Sequence, residues 1–298
     1  MKHLRIFLVL CFLFIGCSDL FKSKHTKNVK IAQAWETSES LRQPESVVFD
    51  PFRKLFYVSN INGKPTDKDG NGFISKVSLH GDILNLSWIK GLNAPKGLAI
   101  YNDKLYVTDI DVLIKIDLKN GKILNRYKDK KAKFLNDIAV GKSGIYVSDM
   151  LTNSIYILKN GVFKIWVQSE KLEFPNGLHA DNENLIVASW GVPTNGFQTK
   201  IPGHIKSINY NTKNIADFGN AKPIGNLDGI KADCHGNYYV TDWMKGAIFH
   251  VSSSADVTIL HKLQQGTADF EFVKSENFLI VPMMNNNKLI AFEVLNSQ

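Results

Sequence analysis

One short pattern recurs six times along the chain and limits the folds that are open to it. Each copy is an apolar run with a valine in the same column, and the copies span residues 55–60, 105–109, 145–149, 185–189, 238–242 and 279–283. They follow one another at intervals of about 40 to 53 residues, which is typical of a β-propeller with four-stranded blades. Helical periodicity is hard to find between the copies, so we predict an all-β chain.

A second strand precedes each copy. Six segments begin at Pro44, Pro95, Leu135, Pro175, Leu227 and Thr267, and the second residue of each is called its opening residue here. The residues two and four positions beyond each opening residue are apolar, from Val47 and Phe49 to Phe270 and Phe272. This alternation indicates a strand with one packed face. We expect these six segments to be the inner strands, which line a central channel.

The remaining strands complete the blades. Third strands are predicted at 73–77, 113–118, 154–158, 204–209, 247–251 and 288–294, and outer strands at 83–89, 123–127, 163–167, 214–218 and 257–263. The sixth blade lacks an outer strand of its own, so we expect residues 29–35 to supply it and close the ring. The sequence therefore predicts an all-β, six-bladed β-propeller with four-stranded blades, as one domain over residues 29–298.

The first residues indicate an export signal rather than a part of the fold. Residues 1–5 are basic, residues 6–15 are apolar, and Gly16 and Cys17 follow, which predicts a signal peptide over residues 1–16. The run Phe14-Ile-Gly-Cys17 resembles the bacterial lipobox, which implies lipidation of Cys17; an ordinary secretory signal is the alternative. Residues 17–28 are then a polar tether. We expect a lipid-anchored protein of the bacterial cell envelope, facing the periplasm or the exterior.

Cysteine content and charge exclude several classes of site. Cys234 is the one cysteine left after residues 1–28, so an intramolecular disulfide and a cysteine zinc site are both excluded from the domain. The formal charge of +8 falls to +6 when the signal peptide takes Lys2 and Arg5 with it. The remaining lysines are scattered among turns, with no basic helix and no basic groove interleaved with aromatic residues. We expect a monomer that binds a small molecule and lies near an anionic membrane, with no nucleic-acid partner.

The opening residues point to a hard cation. In chain order they are Glu45, Lys96, Asn136, Asn176, Asp228 and Ala268. Six blades place them around one end of the channel, called the mouth here, although they are far apart in sequence. Two carboxylates and two carboxamides are the oxygen ligands that calcium prefers, and no opening residue is histidine or cysteine. Two long loops, at 60–72 and 190–203, are predicted to overhang the same mouth.

Residues 43–294 resemble the senescence marker protein (regucalcin) and gluconolactonase family of six-bladed propellers, with paraoxonases as more distant relatives. The resemblance rests on Pro44-Glu45, Asn136-Asp137, Pro175-Asn176-Gly177 and Leu227-Asp228-Gly229. It implies that Glu45, Asn176 and Asp228 are metal ligands and that Asp228 is also the general base. Asn136 matches a position that faces substrate in lactonases and ligates metal in paraoxonases. The function implied is calcium-dependent hydrolysis of a lactone or an ester.

Two departures from that family keep a second function open. No residue matches the arginine that binds sugar lactones, and Lys96 brings a cation to the ring. Lys96 is predicted to be a snorkelling side chain at the rim; the alternatives are that it binds a substrate carboxylate or repels the metal. The alternative function is a non-catalytic propeller, similar to NHL-type or strictosidine-synthase-like domains, that binds a ligand or a protein partner.

Three further sets of residues are expected to be structural. Asp109, Asp149 and Asp242 end their strands near the mouth and are predicted to stabilise the blades by hydrogen bonds. Lys231 is predicted to pair with Glu271 of the next blade. Residues 67–72 copy the first half of a calcium-binding loop, but the acid required at its twelfth position is replaced by Ser78, so a plain turn is expected.

Overall fold

The computed structural model describes residues 29–219 and 222–296 and contains six four-stranded antiparallel sheets. Inner strands of successive blades contact one another in order, and the last contacts the first. This arrangement is a closed six-bladed β-propeller, and the predicted fold is confirmed. The predicted signal peptide (1–16), the tether (17–28) and Cys17 lie outside the described residues. Within the described ranges, no helix is long and apolar enough to cross a membrane.

The strands of the first three blades follow a closing strand. They are β1 (Val29–Glu36), β2 (Pro44–Asp50), β3 (Leu55–Asn60), β4 (Gly72–Ser78), β5 (Ile83–Leu92), β6 (Pro95–Tyr101), β7 (Lys104–Asp109), β8 (Val112–Asp117), β9 (Ile123–Lys128), β10 (Leu135–Gly141), β11 (Gly144–Asp149), β12 (Ser154–Lys159) and β13 (Val162–Gln168).

The last three blades include a small extra hairpin, β16 and β17, in the second long loop. The strands are β14 (Pro175–Ala180), β15 (Asn184–Ser189), β16 (Pro193–Asn195), β17 (Gln198–Thr199), β18 (Ile205–Asn209), β19 (Ile215–Asp217), β20 (Leu227–Ala232), β21 (Tyr238–Asp242), β22 (Ala247–Val251), β23 (Val257–Lys262), β24 (Glu271–Val273), β25 (Phe278–Met283) and β26 (Lys288–Asn296). Three short 3-10 helices lie at Met150–Thr152, Glu170–Leu172 and Met284–Asn286.

The N-terminal strand closes the ring as predicted. Strand β1 pairs antiparallel with β26, with Ile31 opposite Val294, and becomes the outer strand of the sixth blade. The inner strand of that blade is shorter than expected, because β24 begins at Glu271 and Thr267 makes only an isolated bridge to Met283. Pairing the two ends of the chain removes two exposed sheet edges.

The core is divided into six parts, one between each pair of adjacent blades. The valine column of the repeat is fully buried in every blade, at Val58, Val107, Val147, Val187, Val240 and Val281. Alternate residues of one strand pack on opposite neighbours, since successive side chains of a strand face opposite sides of its sheet. This packing fixes the rotation of each blade, and thereby the position of its opening residue.

Each of the first five inner strands is interrupted by a β-bulge at its opening residue. The register with the second strand shifts between Pro44 and Val47 in blade one, and at the equivalent places in blades two to five. A bulge bends the strand and redirects the side chains within it. The bulges therefore place five of the six opening residues in an irregular segment at the mouth.

Candidate functional site

The six opening residues lie around the mouth and are nearly closed to solvent. Their exposed fractions run from 0 to 6%, including the two carboxylates and the lysine. Such burial is costly for a charged group unless a partner compensates it. Two surface clefts of the described chain lie elsewhere. The larger, about 550 Å³, is lined by residues of blades three and four, among them Gly141 and Asp181 at the far ends of their inner strands.

Hydroxyls from the second strands of blades three and five hold the bulges of those blades in place. Ser148 Oγ accepts the N–H of Asp137 at 2.9 Å and donates to the carbonyl of Asn176 in the next blade at 2.6 Å. Thr241 links Gly229 N–H to the carbonyl of Ala268 in the same way. These bonds satisfy a backbone N–H left over by the bulge and tie the opening residue of the next blade to it. The ring is therefore assembled by contacts between blades.

Glycine after the opening residue allows the inner strands to approach closely. A Cβ at Gly177 would overlap the backbone carbonyl oxygen of Asp228 in the next blade. At Gly97 it would overlap the carbonyl oxygen of Asn136. Any larger residue would push the adjacent inner strands apart, and the opening residues with them.

Two oxygens at the proposed ligand positions are buried without a hydrogen-bond partner. They are Glu45 Oε2 and Asn176 Oδ1. The amide nitrogen of Asn176 donates to the carbonyl of Leu227 at 3.2 Å, which fixes the carboxamide and leaves its oxygen free. Among the described residues, the Asp228 carboxylate has no hydrogen-bond partner either. Buried polar atoms are nearly always satisfied in proteins, so these oxygens are positions at which a cation or a water molecule could bind.

The electrostatics of the ring point the same way. Burial raises the pKa of Glu45 well above its usual range, and Asp228 and Asp269 add to the effect. Burial, with repulsion from Asp269 and Asp137, likewise raises the pKa of Asp228. Close negative charges that lack a counterion favour the protonated form. The same field favours a bound cation.

A further layer of charge lies just below the ring in the channel. Asp269 accepts hydrogen bonds from Ser46 at 2.6 Å and from the Lys231 ammonium at 2.9 Å. Asp137 accepts from the N–H of Leu178, yet burial and Asp269 raise its pKa to about 7. Asp137 and Asp269 were not predicted as part of the site. Their common position, directly after an opening residue, is the sequence signal that would have found them.

The predicted pairing of Lys231 with Glu271 is wrong. The ammonium of Lys231 makes its ion pair with Asp269, two residues earlier, because the chain from Thr267 to Phe270 is irregular and brings Asp269 toward the channel. Glu271 instead accepts a hydrogen bond from the N–H of Phe49 at 3.3 Å. The nearby carboxylates Asp269 and Asp137 raise the pKa of Lys231 above its usual value despite burial.

Lys96 does not snorkel to solvent. Its ammonium donates to the carbonyls of Pro65 and Ala94, each at 3.0 Å, and lies 4.4 Å from the ring centroid of Phe134. Pro65 belongs to the first long loop, which therefore lies over the opening residues and excludes water from the Lys96 ammonium. Burial lowers the pKa of Lys96 to about 8. No ion pair joins Lys96 to Glu45 in the described chain, although the charge of Lys96 offsets part of the rise in the pKa of Glu45.

Asp109 and Asp149, two of the three aspartates expected to be structural, make the predicted hydrogen bonds. Asp109 accepts the N–H groups of Asn93 and Ala94, and Asp149 accepts those of Lys133 and Phe134. Both aspartates thereby fix the segment that leads into an inner strand. In the 67–72 turn, the Asp69 carboxylate bonds to the backbone and side chain of Asn71.

The oxygen atoms of Glu45, Asn176 and Asp228 suit a hard cation only if the Asn176 carboxamide is one of the ligands. Across residues 29–219 and 222–296, no three His, Cys, Asp or Glu side chains are grouped so that they could hold a metal ion. A cation at the mouth would therefore depend on the carboxamide oxygen of Asn176 beside the carboxylates of Glu45 and Asp228. Such all-oxygen sets, completed by water, suit calcium.

Solved structures similar to this chain include enzymes of two kinds. A gluconolactonase from Xanthomonas campestris matches with TM-score 0.65 and 14% identity, over 90% of each chain. A streptogramin B lyase matches with TM-score 0.63 and 13% identity, over 90% of this chain and 98% of its own. A catalytically inactive virginiamycin B lyase from Staphylococcus aureus with quinupristin matches with TM-score 0.61 and 14% identity, over 90% and 100%. At such identity these likenesses show the fold alone. No family model and no curated protein matches the chain.

Proposed function

We propose that this protein is a divalent-cation-dependent hydrolase of a lactone or an ester, with calcium as the cation. The observation that carries the proposal is the pair of buried, unpartnered oxygens, Glu45 Oε2 and Asn176 Oδ1, in a ring that also contains Asp228. Each unsatisfied buried oxygen costs about 1–3 kcal/mol, and a cation bound between these two oxygens would offset that cost. The gluconolactonase likeness supports the same class of reaction.

Glu45, Asn176 and Asp228 would hold the cation. A bound calcium ion would supply Lewis-acid polarisation of the substrate carbonyl. Asp228 has two carboxylate oxygens, so one can serve as a ligand while the other accepts a proton from water. Burial and neighbouring carboxylates raise the pKa of Asp228 in the cation-free protein, and a bound cation would lower it and favour the ionised carboxylate.

Asn136 and Lys96 have different parts in this proposal. The Asn136 side chain makes no hydrogen bond with another described residue, so its amide is free to donate to a substrate oxygen. Lys96 is held by Pro65 and Ala94 and keeps the first long loop over the mouth. Its positive charge helps to hold an anionic product while opposing the cation.

Turnover of a lactone panel tests the proposal. We expect the purified protein to open at least one lactone or aryl ester with calcium, to lose that activity with a chelator, and to regain it when calcium returns. Asp228→Ala is expected to be inactive while remaining folded. The matched control is Asp256→Ala, which changes an aspartate on the peripheral turn between β22 and β23. Calcium binding without turnover on any substrate would instead favour the non-catalytic, ligand-binding propeller.

We also propose that the protein is exported and anchored through a lipid on Cys17. The basic, apolar and cysteine-containing segments of residues 1–17 support this proposal. Metabolic labelling with a fatty acid tests it. We expect label on the wild-type protein and none on Cys17→Ser; equal labelling of both would contradict the proposal.

A further inference from the structure

The residue directly after each second strand is apolar in all six blades. These residues are Ile61, Ile110, Met150, Trp190, Trp243 and Met284, called the apolar collar here. They belong to the same repeat as the opening residues, but none of them is needed to hold a cation. Because these six residues occupy the same position of the repeat, we expect them to have one role in common.

The strand register places the apolar collar next to the opening residues, on their solvent side. The last residue of each of the first five second strands pairs with the residue before the opening residue, as Asn60 does with Pro44. The collar residue then extends the pairing by one further bond. Met150 N–H donates to the carbonyl of Phe134, and Trp190 N–H donates to that of Phe174. A ligand that enters from the mouth therefore meets the collar before the ring.

The collar consists of two groups of packed residues that meet between blades five and six. Ile61 and Ile110 pack together with Met284 beside them, and Met150 packs with Trp190 and Trp243. The two groups are joined because the Trp243 indole N–H lies 3.4 Å from the sulfur of Met284. Phe134 packs with the second group, and the Lys96 ammonium lies over the face of the Phe134 ring. Apolar surface thus reaches down to the opening residues.

The accessible part of the collar lies on blades five and six. Trp243 and Met284 are half-buried, whereas the other four collar residues are buried. The loop of blade four adds exposed Phe197 and Ile201 on the same side. This loop is fixed over the collar, since the Trp190 indole N–H donates to the carbonyl of Phe197 at 2.8 Å.

The hydrogen-bonding capacity of the collar is already used. Both indole N–H groups have partners within the protein, and the remaining collar side chains carry no hydrogen-bond donor. A polyol that entered here would lose water from its hydroxyls without gaining partners, which is unfavourable. An alkyl or aryl group would gain by leaving water.

We infer that the ligand of this site has a compact oxygen-bearing head and an apolar body, so that the substrate is an alkyl- or aryl-substituted lactone or ester rather than a sugar lactone. This inference rests on the proposed function for its reaction and on the collar for its specificity. The head reaches the opening residues, and the body lies against Trp243 and Met284.

Matched lactones test the specificity. The octyl-substituted γ-lactone is expected to exceed unsubstituted γ-butyrolactone in kcat/KM by about 30-fold, as for burial of roughly a third of the alkyl chain. Glucono-δ-lactone is expected to be a poorer substrate than either. Trp243→Ala should lower the octyl preference about 5-fold, whereas the control Val257→Ala, on an outer strand, should leave it unchanged.

Binding of the matching lactams separates this inference from the proposed function. Lactams are not opened at a comparable rate, and the collar tryptophans report binding by fluorescence. Tighter binding of the octyl γ-lactam than of the unsubstituted γ-lactam, lost in Trp243→Ala, supports the inference even if no lactone is hydrolysed. If glucono-δ-lactone were hydrolysed at least as fast as the octyl lactone, this inference would be wrong, whereas the proposed hydrolase function would still be supported. Equal binding of both lactams would also overturn it.

Discussion

Replacing Asp228 by asparagine is expected to stabilise the calcium-free protein and to abolish its stabilisation by calcium. Five carboxylates, Glu45, Asp137, Asp228, Asp269 and Glu271, interact electrostatically around the channel with two ammonium groups, those of Lys96 and Lys231. When all are ionised the cluster has an excess of three negative charges. Asparagine keeps the shape of Asp228 and removes one of them.

The size of the effect follows from Coulomb's law. One like charge about 8 Å away, at an effective dielectric constant of about 20, contributes about 2 kcal/mol. Lys231 offsets part of the repulsion that Asp228 receives from its three carboxylate neighbours. We therefore expect Asp228→Asn to raise the free energy of unfolding by about 2 kcal/mol without calcium, or Tm by about 4 °C.

Thermal unfolding with calcium and with a chelator measures both effects. Calcium at about 100 times its Kd should stabilise the wild type by about 2.7 kcal/mol and Asp228→Asn hardly at all. The control is Asp109→Asn, because Asp109 is buried but accepts backbone N–H groups. That change should destabilise the protein by about 1–3 kcal/mol. If chelated Asp228→Asn were less stable than the chelated wild type, repulsion at Asp228 would not be what limits the stability of the calcium-free protein.

Three further predictions concern pH, packing and charge. The folded-state pKa values of Asp137 and Glu271 are about 7, above their unfolded values of about 4. The folded state therefore binds more protons in this window, so the stability of chelated protein should fall as pH rises from about 4 through about 7. A flat Tm across that range would contradict this. Gly177→Ala should lose about 3 kcal/mol or more through overlap with the Asp228 carbonyl. Gly236→Ala, which has open space, should lose only about 1 kcal/mol by denaturant titration. Lys96→Met should raise calcium affinity about 10-fold by calorimetry, because it removes a cation near the ring; unchanged affinity would place the ion elsewhere.

The fold was predictable because each blade repeats one alternation. A buried valine in the second strand and apolar residues two and four places beyond the opening residue require a definite register, and Val58 and Val47 are indeed buried. The role of β1 followed from the need to cover the edge of the sixth blade. The bulges could not be predicted, because Glu45 and Ser46 have no residue signature for an irregular backbone.

The site was predictable only as a set of positions. The sequence placed Glu45, Asn176 and Asp228 at equivalent points of the repeat, and the structure leaves oxygens of the first two unsatisfied. The environment of Lys96 depends on where Pro65 lies, and a loop of that length has no periodicity from which to predict its path. The ion pair of Lys231 depends on the irregular start of the sixth inner strand, which the apolar pattern does not encode.

We propose that the opening residues hold one calcium ion per chain, and native mass spectrometry measures this stoichiometry. Protein stripped with a chelator and titrated with calcium should gain the mass of a single ion at low concentration. Glu45→Gln and Asp228→Asn should each lose that ion, while Asp69→Asn, in the 67–72 turn, should keep it. A wild-type protein that binds no calcium, or a Glu45→Gln variant that binds it as the wild type does, would contradict the account.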